Sequence, residues 1–288
     1  MEKSLPDKLL SHFHSLPQKI HTLHELGQVI TDFALAIRYQ DIVNSQEYID
    51  YLVYHGMIDR IVLAGVKSSA IRLSTGSFSR YDLALSIKNG SYFSHGTAAY
   101  ILRLNDKEPT TVYLSVEGKP RETVDPALEQ SSIDRVFDMP QRQSANRYSW
   151  EGQEFLLLTG LFSQASGVEK KVGLPVTGLE RTLLDCTVRP AYAGGAAVVM
   201  DLYRRAVEIG FDAQKLVALY DEIGFTYPYH QAIGFYLERA GGDGAVVESL
   251  RKRLQSFTFY LDYAMKDKAY SPAWNLHYPA HLGEGIRG

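Results

Sequence analysis

The sequence predicts an α+β protein built from two domains, and three observations support this prediction. Residues 1–75 show two helical patterns followed by two short extended ones. Residues 76–288 show a mostly contiguous group of strands and then a group of helices, which is an order typical of α+β domains. The chain has 288 residues, of which 45% are hydrophobic and 22% charged, so it carries enough apolar material for two cores.

The first domain, residues 1–75, is predicted to be a winged helix-turn-helix. Apolar residues recur with a helical period between Leu5 and Ile42, and a second helix is expected over Asn44–His55. Two short strands, Ile58–Leu63 and Ala70–Leu73, are expected to form a hairpin. Two helices followed by a hairpin are the order of a winged helix-turn-helix.

The second domain, residues 76–288, is predicted to be a mixed α+β domain. Short helices are expected after Ser79 and after Ser94. The strands expected next are Thr111–Val116, Ile133–Phe137, Arg147–Trp150, Glu154–Leu161 and Gly167–Val172. Later helices are expected over Ala196–Ile209, Ala213–Ile223, Pro228–Ala240 and Ala245–Gln255, followed by a late strand over residues 257–263.

Between these two groups lies the segment Gly173–Gly195, which has clear local signals. Thr177 and Glu180 form a T-x-x-E pattern, which predicts a capping box and a helix that starts at about Gly178. Arg181 and Asp185 are four residues apart, so they are expected to pair on the face opposite the apolar stripe. By default this pattern indicates a structural role for all four side chains.

This segment and several others resemble the AbiEi family of type IV toxin–antitoxin systems, which act in phage defence. The resemblance starts at about Gly76 and covers roughly two-thirds of the chain, and it depends on the order of the motifs. The matching residues are Ser91–Ala99, Val176-Thr177, Glu180–Asp185, Tyr192–Gly195, Tyr227–Tyr229 and Ile233–Gly241.

The resemblance implies a function in two parts. The N-terminal winged helix would bind upstream operator DNA and repress the protein's own operon. The C-terminal domain would counteract a cognate nucleotidyltransferase-like toxin, and a type IV arrangement needs no stable complex for this. Thr177, Glu180, Arg181 and Asp185 belong to the matched antitoxin-domain motif. The resemblance therefore implies a non-enzymatic protein, and we expect no cofactor and no metal.

Candidate DNA contacts follow from the predicted helix-turn-helix. Base-reading side chains are expected near the start of the second helix, at Gln40, Asn44, Ser45, Gln46 and Tyr48. Phosphate contacts are expected from Arg38 and, on the wing, from Arg60, Lys67 and Arg72. Residues 1–75 nevertheless carry seven basic and eight acidic side chains, and Asp41, Glu47 and Asp50 lie on or beside the reading helix.

Composition restricts the alternatives. The formal net charge is −3, so DNA binding would need a local basic surface, for which Arg251-Lys252-Arg253 is a second candidate. The single Cys186 excludes an internal disulfide and fits a reducing compartment. We find no signal peptide and no apolar run long enough for a membrane span, so a cytoplasmic protein is expected.

Three other functions remain open at the level of sequence. The first is an interaction or defence-accessory module that does not bind DNA. The second is a Mg²⁺-dependent nuclease, because Glu169-Lys170-Lys171 has the E-x-K form and Glu151 or Glu154 could add a carboxylate. The third is a metal site at the histidine pairs; exposed or structural histidines are the simpler interpretation of His12, His14, His21, His24 and His95.

Overall fold

The computed structural model of the chain describes residues 4–39, 44–120 and 127–283. These residues form both helices and sheets, which confirms the predicted α+β class. The chain packs as two compact units, one of residues 1–90 with 145–157 and one of residues 91–144 with 158–288. The boundary predicted after residue 75 falls inside the first unit.

Helices and strands alternate along the first unit. Its elements are α1 (Leu5–Ser15), β1 (Ile20–His21), α2 (Leu23–Ala36), α3 (Ser45–Tyr54), β2 (Asp59–Gly65), β3 (Ala70–Ser74), α4 (Arg80–Leu85), β6 (Arg147–Trp150) and β7 (Gln153–Thr159), of which β7 extends two residues past the unit. The strands follow the order β1-β3-β2-β6-β7, and every pair is antiparallel.

The expectation of one helical stretch from Leu5 to Ile42 is wrong, because α1 and α2 are separate helices. Pro17 disfavours the helical conformation at Leu16, which is extended at the end of α1. Helix α2 then starts with a complete capping box between Thr22 and Glu25. Ile42 lies outside the described residues.

The core of the first unit holds the three N-terminal helices against β3. Helix α3 begins at Asn44, whose side chain accepts a hydrogen bond from the Gln46 amide at 2.9 Å. Ile49 and Leu52 are buried, so they mark the side of α3 that packs against this core. The buried residues of this core are Leu9, Phe13, Leu26, Ile30, Ile49, Leu52, Ile58 and Leu73.

The second unit combines a four-stranded sheet, seven α-helices and a small C-terminal sheet in its described residues. Its elements are β4 (Tyr92–Phe93), α5 (His95–Ile101), β5 (Thr111–Val116), α6 (Gln130–Asp138), β8 (Val168–Lys171), β9 (Leu174–Thr177), α7 (Leu179–Val188), α8 (Ala196–Ile209), α9 (Ala213–Ile223), α10 (Tyr229–Ala240), α11 (Gly244–Arg251), β10 (Phe259–Tyr260), β11 (Lys268–Ser271) and β12 (Leu276–Pro279). The larger sheet has the order β5-β4-β9-β8, with β4 and β9 parallel.

Two strands predicted for this unit differ from the structure: one is a helix, and the other is shorter than expected. Residues 133–137 lie within helix α6, where Ile133 and Phe137 are one turn apart and both buried. The segment carries three apolar residues that strands favour, Ile133, Val136 and Phe137, but their burial against the helical core selects a helix. The late strand is also shorter than expected, because only Phe259 and Tyr260 of residues 257–263 form a ladder, with β12.

Helix α10 is held at a close contact with a tryptophan. A Cβ atom on Gly234 would lie 2.1 Å from Cζ3 of Trp274, whose side chain is fully buried. The Trp274 indole nitrogen donates to Glu238 on the next turn at 2.7 Å. Only glycine therefore lets α10 approach this ring.

We expect Gly234→Ala to lower the free energy of unfolding by about 1–3 kcal/mol, because the added methyl overpacks a buried aromatic contact. Gly244→Ala is the matched control, since its Cβ would meet no described atom within 4 Å. The control should stay within about 1 kcal/mol of the parent. Urea denaturation followed by fluorescence measures both, and equal midpoints for the two variants would contradict the assignment.

Candidate functional site

The first residues of α3 are largely committed to local structure. Asn44 caps the helix, and its Nδ2 atom donates to Glu47 at 3.1 Å. Ser45 is half-buried against α2, where its Oγ atom lies 3.2 Å from the position of a Cβ on Gly27. The prediction that these two side chains read bases is therefore not supported by their placement.

The predicted base-reading role of Tyr48 is wrong. Its side chain is partly buried against the core of the first unit, so it does not face outward with the predicted reading residues. Desolvation, with smaller effects of Tyr51 and Tyr39, raises the pKa of Tyr48 to about 12. Gln46 is exposed, and its Nε2 atom donates to Asp50 at 3.3 Å. Gln40 lies outside the described residues.

The solvent-facing side of α3 is acidic and aromatic. Glu47 and Asp50 are exposed next to Tyr51 and Tyr54, which are 43% and 86% exposed. Sequence reasoning missed both tyrosines, although their spacing places them opposite the buried Ile49 and Leu52. Helix α3 itself contains no lysine or arginine.

Three of the four predicted phosphate contacts are accessible. Arg60 on β2 and Lys67 in the β2–β3 turn are exposed. Arg38 is exposed after α2, with a left-handed φ of 56°. These three exposed cations, one after α2 and two on the hairpin, are what remains of the predicted phosphate-binding set.

The prediction that Arg72 contacts a phosphate is wrong. Its side chain is 7% exposed, and its Nε and Nη2 atoms donate to the carbonyl of Ser86 at 2.9 and 2.6 Å. Nη2 also donates to the carbonyl of Ile87 at 3.2 Å. Helix ends leave carbonyl groups without partners, and Arg72 satisfies those at the end of α4. It stabilises the first unit and is not available to a phosphate.

The second unit contains a buried polar network around Arg181. Its Nε atom lies 2.8 Å from Oδ1 of Asp185, which confirms the predicted pair, but both side chains are buried and do not lie on an exposed face. Arg181 Nη1 donates to the Ser166 carbonyl at 2.7 Å and to Ser163 Oγ at 3.1 Å. Helix α7 is thus fastened to the loop before β8.

The network continues to Glu117, which sequence reasoning missed. Glu117 accepts hydrogen bonds from the Ser163 amide at 2.6 Å and from the Tyr92 hydroxyl at 2.8 Å. Desolvation would raise the pKa of Glu117, but these hydrogen bonds outweigh it and the pKa is lowered. Burial alone would lower the pKa of Arg181, but the charge and hydrogen bond of Asp185, with smaller effects of Tyr92 and Glu117, raise it overall. Both groups are therefore held in their charged forms.

The predicted capping box at Thr177 and Glu180 is wrong. Gly178 is the N-cap of α7, and no side chain caps it. The Thr177 hydroxyl lies 2.7 Å from the Thr182 hydroxyl. Glu180 turns to α9, where it pairs with Lys215 at 2.9 Å and accepts from the Asp212 amide at 3.2 Å. Tertiary partners have replaced the local ones.

His95 lies beside the same network in a strained conformation. Its φ is 50° although it is not glycine, and its Nδ1 atom lies 2.9 Å from Ser94 Oγ. Burial lowers the pKa of His95 to about 4, so the ring is neutral near pH 7. Ser94 is completely buried and also bonded to Ser115 at 2.7 Å. A substrate cannot reach the Ser94 hydroxyl, so the arrangement offers no accessible nucleophile.

The E-x-K pattern is not joined to other acids in the described structure. Glu169, Lys170 and Lys171 are exposed on β8. The proposed helpers Glu151 and Glu154 belong to the first unit, and Glu154 pairs with Arg147 at 2.9 Å. Among the described residues no group of three histidine, cysteine or acidic side chains could hold a metal ion, the histidine pairs included.

The basic run at the end of α11 is mostly neutralised. Arg251 pairs with Glu238, and Arg253 pairs with Asp221.

Cys186 is fully buried, and burial raises the pKa of its thiol well above the usual value. Neither the basic run nor this thiol supports a reactive or phosphate-binding site.

No family model and no curated protein matches this sequence. The crystal structure of the RV2827C protein from Mycobacterium tuberculosis is similar over 96% of this chain and 94% of that chain, with a TM-score of 0.58 and 15% sequence identity. This likeness extends to the fold alone. In the described part of the chain, no helix combines the length and the apolar character that crossing a membrane requires.

We expect Arg181→Met to lower the free energy of unfolding by about 3–5 kcal/mol, because it leaves the buried Asp185 without its counter-charge. Arg204→Met is the matched control, since Arg204 pairs with Asp201 at 3.0 Å on an exposed face of α8. That loss should stay below about 1 kcal/mol. Urea unfolding compares the two, and similar losses would show that Arg181 contributes no more than a surface ion pair.

Proposed function

We propose that this chain is an AbiEi-like, cytoplasmic antitoxin and autoregulatory repressor without enzymatic activity. The first unit binds upstream operator DNA as a winged helix, and the second unit counteracts a nucleotidyltransferase-like toxin. The motif order described above supports the family assignment, and the arrangement of the first unit supports its role on DNA.

The element order of the first unit carries the proposal. Helices α1, α2 and α3 are followed by the antiparallel hairpin of β2 and β3, with β1 paired to β3 and β6 paired to the end of β2. A helix-turn-helix places its second helix in the major groove and leaves flanking residues to contact phosphates. Helix α3 has a free outward face, and Arg60 and Lys67 are exposed on the hairpin.

The few cations of this surface predict that electrostatic attraction contributes only modestly to the free energy of DNA binding. Arg72 is buried and Lys19 donates to three carbonyl groups at the end of α1, so Arg38, Arg60 and Lys67 are the main free cations near α3 in the described chain. Each phosphate contact contributes about −0.9 to the slope of log K against log salt concentration. Three contacts give a slope of about −2.7 for each bound chain.

We expect selective binding of the full chain to its upstream DNA, measured against a scrambled duplex over a salt series. The double variant Arg60→Ala/Lys67→Ala should make the slope shallower by about 1.8, because two phosphate contacts are lost. Lys107→Ala, an exposed lysine of the second unit, should leave the slope unchanged. Equal binding to both duplexes, or an unchanged slope in the double variant, would argue against the proposal.

The antitoxin motif of the second unit is buried. Thr177, Glu180, Arg181 and Asp185 are all less than a tenth exposed, and the matched segment Ser91–Ala99 is buried throughout. These residues therefore support the fold on which an antitoxin surface depends and do not themselves form that surface. A type IV mechanism, which needs no stable complex, is compatible with this burial.

The proposal predicts that a gene for a nucleotidyltransferase-like toxin lies beside this one, and co-expression of the two proteins tests the antitoxin part. The parent chain should restore growth, and Arg60→Ala/Lys67→Ala should restore it equally, because that variant alters only the proposed DNA surface. Growth arrest in the presence of the parent chain would remove the antitoxin function. Rescue by the parent but not by the double variant would show that the two units do not act separately.

A module that does not bind DNA is the second candidate, and one observation favours it. Seven large apolar side chains of residues 35–66 are exposed, namely Leu35, Ile37, Tyr39, Tyr51, Tyr54, Val62 and Val66. Exposed apolar groups on this scale are typical of surfaces that meet other proteins. This candidate would be supported if the chain showed no affinity for the upstream duplex at any salt concentration.

A further inference from the structure

The outward face of α3 has a definite hydrogen-bonding character. Asn44 accepts from the Gln46 backbone amide and donates to Glu47, so both ends of its side-chain amide are engaged, and the Gln46 side chain donates to Asp50. Bidentate recognition of adenine by Asn or Gln needs a free carbonyl and a free amino group together. Adenine reading by Asn44, as predicted from the sequence, would break the cap of α3.

What α3 offers instead is acceptors and aromatic rings. The Glu47 and Asp50 carboxylates each accept one hydrogen bond from an amide of α3 and retain further lone pairs. Tyr51 and Tyr54 follow on the same face, and Tyr54 is 86% exposed. Tyr51 is within 5.7 Å of the Tyr48 ring and 4.3 Å of the His55 ring, so its ring is supported from both sides.

We propose that α3 reads a pyrimidine-rich strand in the major groove, with Glu47 and Asp50 accepting from cytosine N4 amino groups and the Tyr51 and Tyr54 rings contacting thymine methyl groups. This inference rests on the proposed DNA-binding function. Cytosine presents a single donor in the major groove and thymine presents its C5 methyl group. Guanine presents two acceptors, whose lone pairs would be repelled by those of a carboxylate.

The charges of α3 make it a source of specificity and not of affinity. With two carboxylates and no cation, the helix is repelled by the phosphates on either side of the groove. Attraction must come from Arg38, Arg60 and Lys67 outside the helix. Removing a carboxylate is therefore expected to strengthen binding to every duplex while weakening the choice among bases.

Selection of bound duplexes from a random library tests the carboxylates. Asp50→Asn and Glu47→Gln should each lose about fivefold to tenfold of the preference for cytosine over guanine at one position. Asp32→Asn is the matched control, because Asp32 on α2 accepts from Gln28, four residues earlier, at 2.8 Å, as Asp50 accepts from Gln46. The control removes the same charge and should leave every base preference unchanged.

Replacing thymine by uracil in the selected duplex tests the tyrosines, because uracil lacks only the methyl group. The parent chain and Tyr54→Phe should lose about threefold to tenfold in affinity on this replacement, whereas Tyr54→Ala should lose little. The phenylalanine variant keeps the ring, so it separates the methyl contact from any role of the hydroxyl group.

The outcomes separate this inference from the function on which it depends. Selective binding with unchanged cytosine preference in Asp50→Asn and Glu47→Gln, and equal uracil effects in the parent and Tyr54→Ala, would overturn the inference and leave the repressor function intact. A parent chain that selects no duplex would overturn both. A selected site rich in pyrimidines on one strand, with the preferences lost in these variants and kept in Asp32→Asn, would support it.

Discussion

The buried charge of Arg181 is the constraint on which the second unit depends. A guanidinium removed from water must be fully paired, because an unpaired buried charge costs several kcal/mol. Here Asp185, the Ser166 carbonyl and Ser163 supply its partners, and Ser163 in turn bonds to Glu117. Meeting this requirement ties α7, the loop before β8 and the segment after β5 into one arrangement. The close approach of Gly167, whose Cβ would lie 2.8 Å from Arg181 Cβ, follows from the same packing.

The two functions that we propose draw on buried and exposed residues in different ways. The segments that resemble the AbiEi family lie mostly inside the second unit, where they hold helices and strands in place. Their order along the chain therefore records a fold more than a contact surface. The exposed groups that could meet a partner lie elsewhere. In the first unit they are the carboxylates and tyrosines of α3 and, on the hairpin, the cations Arg60 and Lys67.

Three errors of the sequence prediction share one physical cause, which is that side chains found distant partners instead of local ones. Glu180 could have capped its own helix but pairs with Lys215. Arg72 looks like a phosphate contact on a wing, yet the end of α4 lies within its reach and takes its donors. Residues 133–137 fit a strand in isolation and became a helix because Ile133 and Phe137 meet the helical core one turn apart.

The sequence by itself determined the α+β class, the bounds of α8 and α9 and the pairing of Arg181 with Asp185. These features depend on interactions within a few residues, such as helical periodicity, glycine and proline stops and i,i+4 contacts. Only the tertiary structure decided that this pair is buried and that Arg72 is unavailable to a phosphate. Burial is set by elements far apart in the chain, and no local pattern encodes which of them will meet.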